Sequence, residues 1–165
     1  MRARNPVPKA WLMTDERLGD DLWAALARVP PGSGVVFRHL ATPRGERLAL
    51  FRRVRSVAVA RRLVLVVAGE RLPWRAHHGG PRPATAPAHD RREAVAGVRR
   101  GARALFVSPV FATRTHPGAR GLGIMRARQI GLGLPLVAVA LGGMDARRWR
   151  GLRGFWGWAG IDAWV

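Results

Sequence analysis

The 165 residues contain no cysteine. That excludes a disulfide framework, thiol catalysis and any thiolate metal site, and it suits a reducing compartment. Lysine is almost missing too: Lys9 stands alone among 29 basic residues, which leaves 28 arginines. Acidic residues number only 10 and are dispersed, so paired-carboxylate acid–base chemistry has little support. No apolar run approaches the roughly 18 residues of a membrane span; LGLPLVAVALGGM is the longest candidate, and glycine interrupts it. The N-terminal MRARNPVPKAWLMTDER is basic but has no apolar stretch of the kind a secretory signal needs. The expectation is a cytoplasmic protein with no membrane partner.

What is present suits one globular domain with a real core, since 48% of the residues are hydrophobic. The formal net charge of +19 points toward polyanions. Yet arginine replaces lysine throughout, and alanine, glycine and proline are abundant, which is the mark of a compositional bias. The charge therefore predicts nonspecific anion binding rather than a nucleic-acid-binding function, for which the arginines would cluster on one face with aromatics between them. Here they run along the whole chain. Trp11, Trp23, Trp149 and Trp158 lie inside apolar segments and read as core rather than as base-stacking platforms.

Apolar runs and helical patterns alternate along the chain. AWLMTDER (from Ala10, running into a polar loop), GVVFRH (from Gly34), LVLVVAGE (63–70), ARALFVSPVF (from Ala102) and PLVAVALGGM (from Pro135) read as strands, and GFWGWAGIDAWV (from Gly154) as a final strand or turn. Helices are expected over LGDDLWAALARVP, the later part of ATPRGERLALFRRVRSVAVARR, DRREAVAGVRRGA, RARQIGLGL and DARRWRGLRG. Asp90 with Glu93 three residues on is an N-terminal signature, and Asp145 is a second cap. Residues 71–83 read as a loop, with no strand-length apolar run before PATAPAH. The strands are unbroken rather than alternating, as in parallel sheets covered on both faces. His77, His78 and His89 match no metal-ligand spacing, and a solvated loop is expected for the first two.

In such folds chemistry gathers where strands end. Those ends carry Thr14-Asp15-Glu16, Arg38-His39, Gly69-Glu70, Ser108 through His116, Gly142-Gly143 and Gly157 through Asp162. A glycine pair alone makes a tight turn; at a strand end it also brings backbone N–H groups close to an anion. The segment SPVFATRTHPGARGLG shows the change most sharply, from buried strand to hydroxyls, cations and glycine.

SPVFATRTHPGA and ALGGM, in order with WLMTDER and GWAGIDA, resemble the thiamine-phosphate synthase superfamily, which includes the thiazole tautomerases. The resemblance runs from Trp11 to Ala163. It implies a (β/α)8 TIM-type barrel over 10–165 after an extension of residues 1–9, shortened, with strand four and some helices degenerate. It implies a transferase of thiamine biosynthesis that joins a pyrimidine-methyl diphosphate to a thiazole phosphate and releases pyrophosphate, with Mg2+ as cofactor and phosphorylated small molecules as partners. By the same resemblance Arg38, Thr113, Thr115 and His116 are the catalytic candidates. Ser108, Arg114, Gly142, Gly143 and Gly157 are the substrate and phosphate contacts, and Glu70 is the metal ligand. Departures accompany these matches. His116 stands where the family has lysine, and Ala68-Gly69-Glu70 stands where it has an Asn-Asp pair. His77-His78-Gly79 is a remnant of a His-Leu-Gly type segment. Asp162 stands where a serine helps bind phosphate, and Pro109 occupies the tautomerase histidine's place. These departures leave a second reading, a relative that binds a phosphorylated small molecule without turnover. Because ~200 residues is the lower edge for a closed barrel, an open barrel is a further expectation, with an unpaired strand edge that favours a homo-oligomer.

Overall fold

In the computed structural model, which describes residues 7–69, 72–113 and 120–165, eight parallel strands close into a barrel in sequence order. They are β1 (Ala10–Met13), β2 (Gly34–Phe37), β3 (Val64–Ala68), β4 (His77–His78), β5 (Thr85–Ala88), β6 (Ala104–Val107), β7 (Val137–Leu141) and β8 (Gly157–Gly160). The ring closes where Trp11 of β1 pairs with Ala159 of β8. The open-barrel expectation is thereby corrected, and with it the free strand edge that would have favoured a homo-oligomer.

Strand four lies inside the segment read as a loop. It is two residues long, enough to pair Ala68 with His78 on one side and His78 with Thr85 on the other. A two-residue strand leaves no apolar run, so hydropathy cannot find it. The chain economises on helices as well. Among the described residues five α-helices pack outside the barrel: α1 (Asp21–Arg28), α2 (Arg44–Ala60), α3 (Arg91–Arg99), α4 (Ile124–Gly131) and α5 (Ala146–Gly151). None of them lies between β3 and β4 or between β4 and β5. That saving lets 165 residues complete a fold that ordinarily takes ~250. No helix among the described residues is long and apolar enough to cross a membrane.

Local chemistry explains the helices. In α1, Leu22, Ala25 and Leu26 are buried on one face and Asp21 complements the N-terminal dipole. In α2, Phe51, Val54 and Ala58 repeat at helical spacing against the barrel. Helix α3 begins at the expected cap: the Asp90 carboxylate accepts from the Glu93 N–H at 2.8 Å, and the Glu93 carboxylate accepts from the His89 N–H at 2.8 Å. Inside the barrel, Trp11 meets Phe106 edge-on at 5.1 Å. Gly34 makes room for that indole, since a side chain there would strike the Trp11 ring. Burial of Trp11, Phe37, Phe51 and Phe106, each no more than 1% exposed, gives the core its large apolar contribution. Trp158 is also buried, whereas Trp23 and Trp149 are partly so.

Several arginines serve as carbonyl clamps. Arg61 donates from Nη2 to Ala27 O at 2.6 Å and to Val29 O at 3.2 Å, closing the end of α1. Arg91 does the same for Ile130 O at 3.1 Å and Leu132 O at 2.6 Å at the end of α4. These contacts satisfy the carbonyls that a helix end leaves orphaned.

Candidate functional site

The C-terminal ends of the strands surround one cavity of about 990 Å³. Its strand-derived wall includes Met13, Ala68, Pro87 and Leu141, which are apolar, and His78. The loops add Arg38 and Leu40 after β2, Ser108 and Thr113 after β6, and Gly142 through Asp145 after β7. Ile161 and Asp162 follow β8, and Arg148 projects from α5.

Of the residues expected from the sequence, Arg38, Ser108, Thr113, Gly142 and Gly143 all line this cavity. They come from three separate strand ends, which only barrel closure brings together. Arg114, Thr115 and His116 lie outside the described residues, as does Glu70. Gly157 is placed elsewhere: it is the first residue of β8, packed against the Lys9 backbone at the N-terminal end of the barrel. The glycine of that strand at the cavity is Gly160. His89, which follows β5, also lines it, with Nδ1 2.8 Å from Glu93. Asp15 instead caps a 3₁₀ turn over Glu16–Leu18 and accepts from Arg17.

The glycine pair has a structural demand beyond a simple turn. Gly142 and Gly143 have φ of 96° and 60°, a region that favours glycine. A Cβ on Gly142 would lie 2.8 Å from the Pro109 Cα, and one on Gly143 would lie 2.6 Å from the Ala112 carbonyl. The pair therefore lets the β7 loop lie directly against the β6 loop. Phe111 N–H donates to Gly142 O at 3.1 Å across that seam. The Arg148 guanidinium donates to Gly143 O and lies 5.0 Å over the Phe111 ring.

On the opposite side, Arg38 follows β2 with its backbone fixed at both polar groups. Its N–H donates to the Thr14 hydroxyl at 3.2 Å, and its carbonyl accepts from Arg47 Nε at 3.1 Å. The Thr14 hydroxyl lies 3.1 Å from His39 Nδ1, and the His39 ring stacks on Phe37 at 4.9 Å. Burial pushes the His39 pKa down, against a partial upward pull from Glu16 and Asp15.

His78 is the functional candidate that hydropathy misses. Its Nδ1 is 2.9 Å from the Thr85 hydroxyl, and its ring meets Phe106 edge-on at 5.1 Å. Burial, with a smaller push from the Arg38 charge, lowers its pKa to about 4. It is a neutral imidazole at ordinary pH, held in an apolar wall. Its place at a strand end would have marked it, but the two-residue β4 leaves no apolar run to show where that end lies.

A magnesium site needs oxygen ligands that converge. Among the described residues no group of three His, Cys, Asp or Glu side chains could hold a metal ion. The cavity's carboxylates, Asp145 and Asp162, sit on the β7–β8 side, and the Asp145 carboxylate accepts from the Arg148 N–H at 2.8 Å as the cap of α5. Magnesium is commonly held by one or two carboxylates together with substrate phosphates, and Glu70, the expected ligand, lies outside the described residues.

The family model of thiamine monophosphate synthase matches residues 69–163, more than half of the chain. No curated protein sequence matches the chain. Among solved structures, a thiamine phosphate pyrophosphorylase from Pyrococcus furiosus superposes with a TM-score of 0.76 at 22% identity, over 94% of this chain and 86% of the other. A structure described as native KDPGal superposes with a TM-score of 0.59 at 14% identity, over 98% and 85%. A designed cube-shaped protein cage built from fused oligomeric domains gives 0.60 at 14%, over 94% and 64%. At these identities the likeness speaks for the barrel fold.

Proposed function

The chain belongs to the thiamine monophosphate synthase family, and from that premise we propose that it is a cytoplasmic transferase that joins a pyrimidine-methyl diphosphate to a thiazole phosphate. The observation that carries this reading is the convergence of Arg38, Ser108, Thr113 and the Gly142-Gly143 pair on one cavity. At about 990 Å³ the cavity is at the upper end of the usual range for small-molecule sites, as two substrates bound side by side would require.

In the reaction proposed, the bond between the pyrimidine methylene and the diphosphate oxygen breaks, and its electron pair leaves with pyrophosphate. The thiazole nitrogen then supplies the pair for the new C–N bond. Negative charge grows on the leaving oxygens, so fixed cations and donors there lower the barrier. Arg38 is a cation at the cavity proposed for that role. Ser108 and Thr113 bring hydroxyls from the strand-six loop, and Arg114, Thr115 and His116 are proposed to extend that set. The Gly143 N–H on the β7 loop is proposed to donate to the thiazole phosphate. The apolar wall with neutral His78 suits the uncharged ring of a substrate.

A second reading, a relative that binds a phosphorylated small molecule without turnover, is favoured by the departures at Ala68-Gly69-Glu70 and Asp162, where the resemblance implies an Asn-Asp pair and a serine. Incubation with pyrimidine-methyl diphosphate and thiazole phosphate, with and without magnesium, separates the two. Thiamine phosphate that forms in the wild type and falls in Arg38→Ala supports the transferase. Folded protein that binds thiazole phosphate but yields no product supports the binder.

A further inference from the structure

We infer that Arg47 is a positioning residue: it acts on the substrate diphosphate through Arg38, by locking the backbone from which Arg38 reaches into the cavity. The inference rests on the transferase reading for what Arg38 contacts.

Arg47 lies on α2, yet it is only 4% exposed. Its guanidinium inserts at the seam between β2 and β3. Nε donates to Arg38 O at 3.1 Å, and Nη2 donates to Ala68 O at 2.6 Å. The same group lies 5.5 Å over the Phe37 ring. Both carbonyls belong to residues that line the cavity, Arg38 after β2 and Ala68 at the end of β3. One planar fork thus ties two strand ends of the mouth to a single side chain, a geometry that a lysine ammonium matches poorly.

The other half of the lock comes from β1. Arg38 N–H donates to the Thr14 hydroxyl at 3.2 Å, which uses that oxygen as acceptor. The hydroxyl proton is then free to go to His39 Nδ1, 3.1 Å away. His39 is 5% exposed, has a φ of 43° and stacks on Phe37. A left-handed turn in a non-glycine residue persists only where its surroundings hold it. Arg38 therefore has a donor fixed from β1, an acceptor fixed from α2 and a constrained following residue. Only its side-chain torsions remain to be set by a ligand, so little ordering cost falls on binding.

The two other clamps supply the contrast. Arg61 and Arg91 make the same kind of carbonyl contacts at the ends of α1 and α4, and neither lines the cavity. A role in stability alone would make the three arginines equivalent.

The test is calorimetric titration of inorganic pyrophosphate into the full chain and its variants Arg47→Lys, Arg38→Ala, the double variant and Arg61→Met. Arg47→Lys keeps the buried charge but loses the fork. Affinity is expected to fall about tenfold in Arg47→Lys, and the same change made in the Arg38→Ala background to cost less than about twofold. Arg61→Met is expected to lower the melting temperature and leave affinity within about twofold. An equal loss from Arg47→Lys in both backgrounds, or no loss in either, overturns the inference. Wild-type protein that binds no pyrophosphate refutes the transferase reading of Arg38 instead. The positioning claim is then decided by amide hydrogen exchange: faster exchange at the Arg38 N–H in Arg47→Lys but not in Arg61→Met supports it, and unchanged protection overturns it.

Discussion

His78 takes up a proton near pH 6.5 in an unfolded chain but only near pH 4 in the folded one, because it is buried beside the Arg38 charge. Between those values the unfolded chain binds more protons, so stability rises with pH across the window and falls as the solution is acidified. The sign is that of a base whose folded pKa is depressed: the chain is most stable above pH 6.5, and the loss is complete below about 4. At about 1.4 kcal/mol per pH unit, acidification from pH 7 to 4.5 costs about 2 kcal/mol through this one group. Urea unfolding of the wild type and His78→Gln at both pH values reads the difference directly. Glutamine does not titrate and can keep a hydrogen bond to Thr85. His39 moves in the same direction in both proteins and cancels on subtraction. The variant is expected to lose about 2 kcal/mol less than the wild type on acidification. Parallel losses in the two proteins would refute the reasoning, since they would mean that His78 protonates in place without penalty.

Three further outcomes follow from the site. Arg38→Ala should weaken pyrophosphate binding about 10- to 100-fold, the scale of a lost hydrogen bond to a charged group, as read by titration calorimetry. Gly143→Ala should destabilise the fold by about 2 kcal/mol in urea melts, because φ is 60° and the new Cβ would press on the Ala112 carbonyl at 2.6 Å. Asp162→Ser removes a carboxylate from the β8 end of the cavity and should raise thiazole phosphate affinity about fivefold, the effect of about 1 kcal/mol of screened repulsion.

The barrel was legible where elements were long enough to leave a pattern. Uninterrupted runs such as VVF and LFV become β2 and β6, and the Asp90–Glu93 signature opens α3 where it was expected. Strand β4 escaped because two residues suffice when both neighbours hold them, and periodicity needs a longer stretch to register. Strand β5 falls in PATAPAH, the first strand-length apolar run after the loop, although Pro87 removes a backbone donor beside β6. Closure itself is a sum over all eight pairings, and no local segment encodes it.

The site was legible to the extent that strand direction was. Six parallel strands could be found from hydropathy, and in a parallel barrel every mouth residue follows its strand. Arg38, Ser108 and Gly142-Gly143 obey that rule and line the cavity. GFWGWAGIDA broke it because glycine occurs at both ends of the strand. The direction shared by all eight strands resolves the ambiguity: Gly157 begins β8 and must face away, whereas Gly160 ends it at the cavity. The same rule applied to His77–His78 would have put His78 at the mouth once the strand was known. What the sequence could not reveal is which arginine among 28 holds another in place. Arg47 sits nine residues beyond Arg38, and only the packing of α2 against the seam of β2 and β3 brings its fork to the carbonyls of both strand ends.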